Sequence, residues 1–279
     1  MIRIKKAKPS GFCFGVRRAI NIAEDALKRK HKIYSLGPII HNPLVVKELS
    51  EKGLKVISDI GQAHGGTILI RSHGIEPSAR KKIKAKKIKI IDATCPFVER
   101  SHCIVNDLKK QGYYIIIVGE KNHPEVKALA EAAGDKKKVV IDVKGVGRLN
   151  LKNKRVALLA QSTLTRPLFE KVVLGVLRKN PCELRVFDTL CKDVAKRQHE
   201  AINLRKSADL MLVVGGKMSA NTKRLVQLCK LEGVKTYHLE SEQGLKKTWF
   251  RNVKSVAVLS GSSTPDWVVN RVIEKIQKS

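Results

Sequence analysis

The sequence predicts an α/β protein built from mostly parallel sheets. Short apolar runs of strand length recur along all 279 residues, and amphipathic stretches separate most of them. Continuous apolar strands with helices between them are typical of parallel sheets that are covered on both faces. In chain order, the runs lie at residues 32–36, 67–70, 88–91, 113–118, 138–141, 155–160, 184–187, 209–214, 235–239 and 255–259.

Polar motifs follow most of these runs and precede predicted helices. They are His41-Asn42-Pro43, Arg71-Ser-His73-Gly74, Cys95-Pro96, His123-Pro124-Glu125, Gln161-Ser162-Thr163, Cys191, Ser219-Ala220-Asn221 and Ser262-Ser263-Thr264-Pro265. Proline suits the first position of a helix, so the residue before each of these prolines is expected at a helix start. Ligands of open α/β sheets bind outside the carboxyl ends of the strands, where these motifs lie.

A helix start favours negative charge, because backbone N–H groups and the helix dipole point outward there. The same position predicts a lowered thiol pKa for Cys95. Ordinary helix capping explains each motif taken alone. Helix capping alone does not account for the whole set, which comprises three histidines, three cysteines and several hydroxyl and amide residues at strand ends.

Cysteine spacing excludes the usual structural zinc motifs. Cys13, Cys95 and Cys191 lie far apart in polar junctions, and the sequence contains no C-x-x-C pair. Three such thiolates on one iron–sulfur cluster would leave one iron free for a substrate. The remaining cysteines are interpreted as ordinary packed residues, by the burial preference of free cysteine. These are Cys103, Cys182 and Cys229.

Composition predicts a globular protein of the cytoplasm. Hydrophobic residues make up 43% of the chain, and the sequence shows neither a signal peptide pattern nor an apolar run long enough to span a bilayer. Thiols in that compartment stay reduced, which favours ligation of a metal or cluster over disulfides.

The formal net charge of +31 predicts a positive potential that attracts anions, nucleic acid or acidic proteins. Much of the excess lies in basic runs such as residues 80–89 and 136–138, which are typical of solvated helix faces or turns. Aromatic residues make up only 4% of the chain, so stacking platforms for bases are scarce. These observations disfavour nucleic-acid binding as the main function.

In this order, the motifs resemble those of the 4-hydroxy-3-methylbut-2-enyl diphosphate reductase family. The resemblance includes Gly11-Phe-Cys13-Phe-Gly-Val and Asp92-Ala-Thr-Cys95-Pro and runs from near residue 11 to near residue 270. It implies an iron–sulfur oxidoreductase of the non-mevalonate isoprenoid pathway. The implied reaction removes the hydroxyl of (E)-4-hydroxy-3-methylbut-2-enyl diphosphate and gives isopentenyl diphosphate and dimethylallyl diphosphate.

The resemblance also implies an architecture and a cofactor. Three small α/β domains would form a trefoil around one central 4Fe-4S cluster per chain. Their expected limits are residues 1–94, carrying Cys13, residues 95–190, opening at Cys95, and residues 191–279, opening at Cys191. These three cysteines would hold the cluster, and the iron without a protein ligand would bind the substrate hydroxyl.

Roles for the other motif residues follow from the same resemblance. Glu125 resembles the proton donor, and His123 with Ser162 or Thr163 would orient the transfer. The residues expected around the diphosphate are His41, His73, His123, Ser219, Ala220, Asn221 and Ser263. The implied electron donor is a ferredoxin or a flavodoxin, and no membrane partner is expected.

Some positions depart from the family pattern. Ser219-Ala220-Asn221 stands where the family has Ser-Ser-Asn, so the backbone N–H of Ala220 serves without a hydroxyl. Asp193-Val194 replaces Ala-Thr, and Lys127-Ala-Leu replaces a glycine-containing segment. None of these changes removes a cluster ligand or the expected acid, but they bear on substrate affinity.

Two other classes of function compete with this interpretation. A nucleic-acid-binding protein would explain the charge but not the cysteines and histidines, and it would show a salt-sensitive shift on RNA or DNA without iron. A zinc hydrolase, ligated by three cysteines or by two cysteines and a histidine, would be colourless.

Overall fold

A computed structural model of the chain describes residues 2–29, 32–231 and 233–278. The helices are α1 (Phe14–Lys28), α2 (Pro43–Glu51), α3 (Pro77–Ala85), α4 (Pro96–Lys110), α5 (Pro124–Ala133), α6 (Val143–Gly147), α7 (Arg166–Leu177), α8 (Lys192–Arg205), α9 (Ala220–Lys230) and α10 (Asp266–Gln277). The strands are β1 (Arg3–Lys6), β2 (Ile33–Leu36), β3 (Lys55–Ile57), β4 (Thr67–Ile70), β5 (Lys89–Asp92), β6 (Tyr114–Val118), β7 (Lys137–Val140), β8 (Arg155–Ala160), β9 (Glu183–Phe187), β10 (Leu210–Val214), β11 (Lys235–Leu239) and β12 (Ser255–Ser260). No helix in the described part of the chain has both the length and the apolar character needed to cross a membrane.

The strands form four-stranded parallel sheets with the orders β3-β2-β4-β5, β7-β6-β8-β9 and β1-β12-β10-β11. Neighbouring strands pair in parallel in each sheet, as in the pairing of Tyr114 with Val156 between β6 and β8. Because parallel neighbours need crossover connections, the helices alternate with the strands along the chain. The predicted α/β class with parallel sheets is confirmed.

Two strands have no counterpart among the predicted apolar runs. Strand β1 has the sequence RIKK, and strand β3 has the sequence KVI. Both lie at an edge of their sheet, where one side of the strand is open to solvent. Short, basic edge strands carry little apolar periodicity, which is why the sequence pattern misses them.

Packing on both faces of the sheets explains the continuous apolar strands. In the sheet of residues 114–187, Ile116 and Leu158 face one core cluster with helix α7, whereas Ile115 and Leu159 face another with helices α4 and α5. The sheet that contains β10 and β12 divides its strand residues in the same way between two clusters. These layers fix the strand ends, from which the polar motifs project.

Residue contacts divide the chain into two compact units. One comprises Met1–Arg17, Ile40–Lys47 and Lys192–Ser279, and the other comprises Arg18–Ile39 and Glu48–Cys191. Strand β1 therefore belongs to the sheet of the C-terminal strands, and Cys13 lies in the same unit as that sheet, not with strands β2 to β5. The expected domain limits at residues 94/95 and 190/191 fall between strands of different sheets and stay a prediction.

Candidate active site

A buried carboxyl group lies at the start of helix α5. Glu125 is 0% exposed, and its two carboxyl oxygens accept hydrogen bonds from the backbone N–H of Ser162 at 2.8 Å and from the Ser162 hydroxyl at 2.7 Å. Helix α5 begins at Pro124, after the loop that follows strand β6. Ser162 follows strand β8, which pairs with β6. The parallel register therefore brings Glu125 and Ser162 together at the carboxyl end of the sheet.

Burial raises the pKa of Glu125 above its usual range. The two hydrogen bonds from Ser162 act in the opposite direction, because they stabilise the ionised form, but desolvation is the larger effect. A carboxyl group that keeps its proton to higher pH than usual can serve as a proton donor over a wider pH range than an exposed glutamic acid. The geometry thus supports the proton-donating chemistry expected of Glu125.

Two imidazole rings lie in the same unit as this carboxyl group. The Nδ1 atom of His123 accepts the backbone N–H of Glu125 at 3.3 Å, which caps the helix and leaves Nε2 as the protonated nitrogen of the neutral ring. The ring of His73 meets the ring of His123 edge to face, with centroids 5.6 Å apart. Both residues follow strands of parallel sheets, and together they offer N–H donors suited to an anionic ligand.

A glutamine side chain fixes the segment that holds Ser162 and Thr163. Gln161 is fully buried, donates through Nε2 to the Thr163 hydroxyl at 2.8 Å and accepts the backbone N–H of Glu120 at 2.9 Å. Gln161 was part of a predicted motif without a role of its own. Its two bonds set the direction of the Thr163 hydroxyl and tie the segment to the end of strand β6.

The backbones of Cys95 and Cys191 are bonded to these same motifs. The N–H of Cys95 donates to the carbonyl of Ser72 at 3.0 Å, one residue before His73. The N–H of Cys191 donates to the carbonyl of Ser162 at 2.9 Å. Both thiols are half-buried, and helices α4 and α8 begin at the next residue in each case.

The pKa of Cys95 is raised, so the prediction of a lowered value was wrong. Burial is the largest cause, and the nearby carboxyl of Glu125 adds to it. The backbone N–H groups of Phe97 and Val98 at the helix start do lower the pKa, as expected of that position, but they do not outweigh burial.

In the other unit, Cys13 lies directly before helix α1. Its backbone N–H donates to the carbonyl of Ser262 at 3.0 Å, and its sulfur accepts the N–H of Val16 at 3.4 Å. The adjacent Ser263 is bonded to the His41-Asn42 motif, because Asn42 Nδ2 donates to the carbonyl of Ser263 at 2.9 Å and the Ser263 hydroxyl donates to the carbonyl of His41 at 3.4 Å. This unit therefore brings Cys13, His41 and Ser263 into one hydrogen-bonded arrangement.

Glycines allow a close approach at the ends of strands β10 and β12. A Cβ atom at Gly216 would lie 2.2 Å from the carbonyl oxygen of His41, and one at Gly261 would lie 2.1 Å from the Thr222 hydroxyl. Ser219 caps helix α9 by accepting the N–H of Thr222 at 3.3 Å. The Thr222 hydroxyl and Asn221 Oδ1 are buried and have no hydrogen-bond partner within the described part of the chain. The close backbone approach, the start of helix α9 and the Thr222 hydroxyl, which can donate, suit an anionic ligand at this corner.

Arg197 is a buried residue to which the sequence motifs assign no role. Its side chain is 2% exposed and donates to Asp193, to the carbonyl of Gly11 and to Ser260. The spacing of Asp193 and Arg197, four residues apart on one helix, was the available sequence signal for their ion pair.

The remaining cysteines differ in exposure. Cys229 is buried among apolar residues, as predicted, and burial raises its pKa to about 12. Cys103 and Cys182 are exposed, so their interpretation as packed residues was wrong. Cys103 lies on the outer face of helix α4, and Cys182 follows the turn after helix α7.

Parallel α/β sheets with a buried acid, histidines and cysteines at the carboxyl ends of their strands define an α/β enzyme. The family model described as "LytB protein" matches residues 4–277, and the chain belongs to this family. A curated relative from Geobacter metallireducens, named 4-hydroxy-3-methylbut-2-enyl diphosphate reductase, is 42% identical over 98% of this chain and 96% of its own length.

Solved structures agree with this membership. The E-1-hydroxy-2-methyl-but-2-enyl-4-diphosphate reductase of Plasmodium falciparum matches with a TM-score of 0.94 and 32% identity, covering 98% of this chain and 87% of that one. A second structure, of (E)-4-hydroxy-3-methyl-but-2-enyl diphosphate reductase, the terminal enzyme of the non-mevalonate pathway, matches with a TM-score of 0.72 and 39% identity over the full length of both chains.

Proposed function

We propose that this chain is an iron–sulfur reductase of isoprenoid synthesis, as the family resemblance implies. It removes the hydroxyl of (E)-4-hydroxy-3-methylbut-2-enyl diphosphate and releases isopentenyl diphosphate and dimethylallyl diphosphate. The observation that carries the proposal beyond family membership is the buried carboxyl of Glu125, held by Ser162 next to His123.

The reaction sets the tasks of the side chains. Cleavage of the allylic C–O bond consumes two electrons and two protons: one proton leaves with the oxygen as water, and the other ends on carbon. Glu125, with its raised pKa, supplies the proton for the oxygen. Ser162 holds the carboxyl in place, and Thr163, whose hydroxyl accepts a hydrogen bond from Gln161, is assigned to orient the transfer together with His123. Positioned acids of this kind accelerate reactions by about a hundred- to ten-thousand-fold.

The donor chemistry of the chain fits a 4Fe-4S cluster. Cys13, Cys95 and Cys191 are each half-buried and each directly precede a helix, which sets them apart from the other cysteines of the chain. Three thiolates match a cluster that keeps one iron for the substrate. When bound, the cluster supplies the electrons and a Lewis-acidic iron for the substrate hydroxyl.

A diphosphate is the proposed ligand of the histidines and of the helix start at α9. The residues assigned to it are His41, His73, His123, Ser219, Ala220, Asn221 and Ser263. The Thr222 hydroxyl, which has no partner among the residues that the structure describes, and the close backbone approach at Gly216 and Gly261 beside it support this assignment. Ala220 has no polar side chain and contributes only its backbone N–H, as the first residue of helix α9.

The proposed electron donor is a small acidic protein, a ferredoxin or a flavodoxin. Two phenylalanines stand out on the helices that start at proposed cluster ligands: Phe14 is 62% exposed and Phe97 is 51% exposed. Each has an exposed arginine three residues later on its own helix, Arg17 and Arg100. On each of these helices, an exposed apolar residue close to a positive charge suits a transient acidic partner, and the net charge of +31 favours the approach of such a partner.

A cytoplasmic location fits this chemistry and belongs to the proposal. Thiolates that hold a cluster must stay reduced, and reduced thiols persist in the cytoplasm.

Turnover of the anaerobically purified chain tests the function. With the allylic diphosphate and a small viologen reductant, the wild-type protein should form both isomeric products, and its iron and sulfide content should exclude a zinc hydrolase. Glu125→Gln keeps the shape of the side chain but loses the acidic proton, so its rate should fall by about a hundred- to ten-thousand-fold. Glu274→Gln, on the exposed face of helix α10, is the matched control and should retain the wild-type rate. A fully iron-loaded protein without turnover, or an unimpaired Glu125→Gln variant, would contradict the proposal.

A further inference from the structure

A buried arginine holds the loop that carries Cys13. This loop, residues 7–13, connects strand β1 to helix α1 and is called the Cys13 loop below. Arg197 on helix α8 donates to the carbonyl of Gly11 at 2.8 Å and to that of Pro9 at 3.4 Å. The same guanidinium donates to the carbonyl and hydroxyl oxygens of Ser260, at 3.1 and 3.2 Å. One side chain thus bonds the loop to the end of strand β12.

Asp266 confines the Cys13 loop as well. Its carboxylate accepts the Ser10 hydroxyl at 2.9 Å. Gly11 has a φ of +75°, and a Cβ atom there would lie 2.0 Å from the Asp266 carboxylate, so the loop passes between Asp266 and Arg197 at a position that only glycine fits. The N–H of Cys13 then reaches the carbonyl of Ser262, two residues beyond Ser260.

The first turn of helix α8 fixes the guanidinium itself. Asp193 accepts the Nε–H of Arg197 at 2.8 Å and is 29% exposed, whereas Arg197 is 2% exposed. Asp193 therefore neutralises a nearly buried charge and sets the plane of the guanidinium group. A lysine could not reproduce these contacts, because its ammonium is a single point and the guanidinium is a rigid fork with five donors.

We propose that Arg197 is a positioning residue that keeps the Cys13 loop in its ligand-binding conformation. Loss of its bonds to Pro9, Gly11 and Ser260 frees the loop while the sheet and helices persist. The cluster part of this inference rests on the proposed function, whereas the conformation of the loop is a property of the chain alone.

Hydrogen exchange of the full-length protein, freed of iron, measures the loop directly. In Arg197→Gln, amides of residues 10–16 should exchange about tenfold faster or more, since exchange reports the free energy of local opening. Amides of strands β6 and β8 should be unchanged. Arg205→Gln, on the same helix but bonded to the carbonyl of Leu228, is the matched control and should leave exchange at residues 10–16 as in the wild type.

Cluster retention provides the second measurement. After anaerobic reconstitution and a chelator challenge, Arg197→Gln should lose its iron absorbance about tenfold faster than the wild type, in line with the effect of removing a group that orients a metal ligand. If Arg197→Gln does not fold, Arg197→Lys keeps the charge beside Asp193 and should show the same changes to a smaller extent.

The two measurements separate this inference from the proposed function. Unchanged exchange at residues 10–16 in a folded Arg197 variant would overturn the positioning role, whatever the iron content. Faster exchange in a protein that takes up no iron would retain the role in the loop and reject the cluster. Equal acceleration throughout the protein would show a general loss of stability and would also overturn the inference.

Discussion

Glu125 illustrates how the environment of one residue decides its chemistry. Its carboxyl is fully buried, which favours the protonated form, and two donors from Ser162 favour the ionised form. Burial is the larger effect, so the proton is held until the pH exceeds the usual range of a glutamate. The same residue in a solvated first turn would only complement the helix dipole, as ordinary capping predicts.

A pH dependence of stability follows from the raised pKa of Glu125. Below its ordinary value of 4.5 the carboxyl is protonated in both the folded and the unfolded protein. As the pH rises further, the unfolded form ionises first, so the free energy of unfolding falls by up to about 1.4 kcal/mol per pH unit until the folded pKa is reached. Glu125→Gln lacks this loss, and its stability relative to the wild type should increase from acid to neutral pH.

Urea unfolding from pH 4 to pH 8 provides the measurement, and the difference between variant and wild type removes the contribution of other carboxyls. Glu274→Gln, an exposed change on helix α10, should show no comparable trend. A constant difference between Glu125→Gln and the wild type over this range would mean that Glu125 titrates alike in both states.

At the level of elements, helix starts proved the most predictable part of the site. Proline after Asn42, Cys95 and His123 predicted helices at α2, α4 and α5, and all three begin at that proline. The fourth predicted start, at Thr264, was wrong by one residue, because Pro265 caps helix α10, which begins at Asp266. The strands with long apolar runs were equally predictable, because burial on both faces leaves a continuous pattern in the sequence. Strands β1 and β3 were not predicted, because short, basic edge strands leave no such pattern in the sequence.

Other features of the site depend on contacts that are distant in sequence. The bonds from Arg197 to Gly11 and Ser260 span up to 186 residues, and no local pattern encodes them. The pKa of Cys95 depends on how much of the thiol is buried and on Glu125, neither of which spacing reveals. Sequence motifs could therefore identify the site residues. Only the packing of the folded chain determines their protonation and the hydrogen bonds that hold them in place.

The close approach of Gly216, after strand β10, to His41, before helix α2, gives a prediction about stability. Gly216→Ala places a methyl group 2.2 Å from the carbonyl oxygen of His41, so the ends of β10 and α2 must separate. We expect the free energy of unfolding to fall by about 1–3 kcal/mol, the usual cost of overpacking. Gly147→Ala in helix α6 meets nothing within 4 Å and should be neutral or stabilising by up to about 1 kcal/mol. Denaturant unfolding of the two variants provides the comparison, and equal changes in the free energy of unfolding would contradict the close approach at Gly216.

For the whole molecule, the net charge of +31 is the dominant electrostatic feature. It raises the local concentration of acidic partners and is screened over about 10 Å at 0.1 M salt. The charge alone does not distinguish redox proteins from nucleic acid, whereas the exposed phenylalanines beside Cys13 and Cys95 favour a protein surface.

Salt dependence tests the docking of an acidic electron donor. Turnover supported by a ferredoxin should fall steeply with ionic strength, because screening slows association, whereas turnover with a small viologen should change little. Phe97→Ser and Arg100→Glu should impair only the protein-supported rate. Leu177→Ser, an exposed position at the end of helix α7, is the matched control for the loss of surface apolar area. An equal decline of both rates with salt would exclude electrostatic docking as the cause.

The cluster ligands are central to the function proposed for the whole molecule, and iron content tests them most directly. Anaerobically purified wild-type protein should be brown and carry about four irons per chain. Cys95→Ser should abolish or badly impair iron incorporation, whereas Cys103→Ser, an exposed change on the same helix, should leave it unchanged. Full iron and sulfide content in Cys95→Ser would contradict the assignment of Cys95 as a cluster ligand.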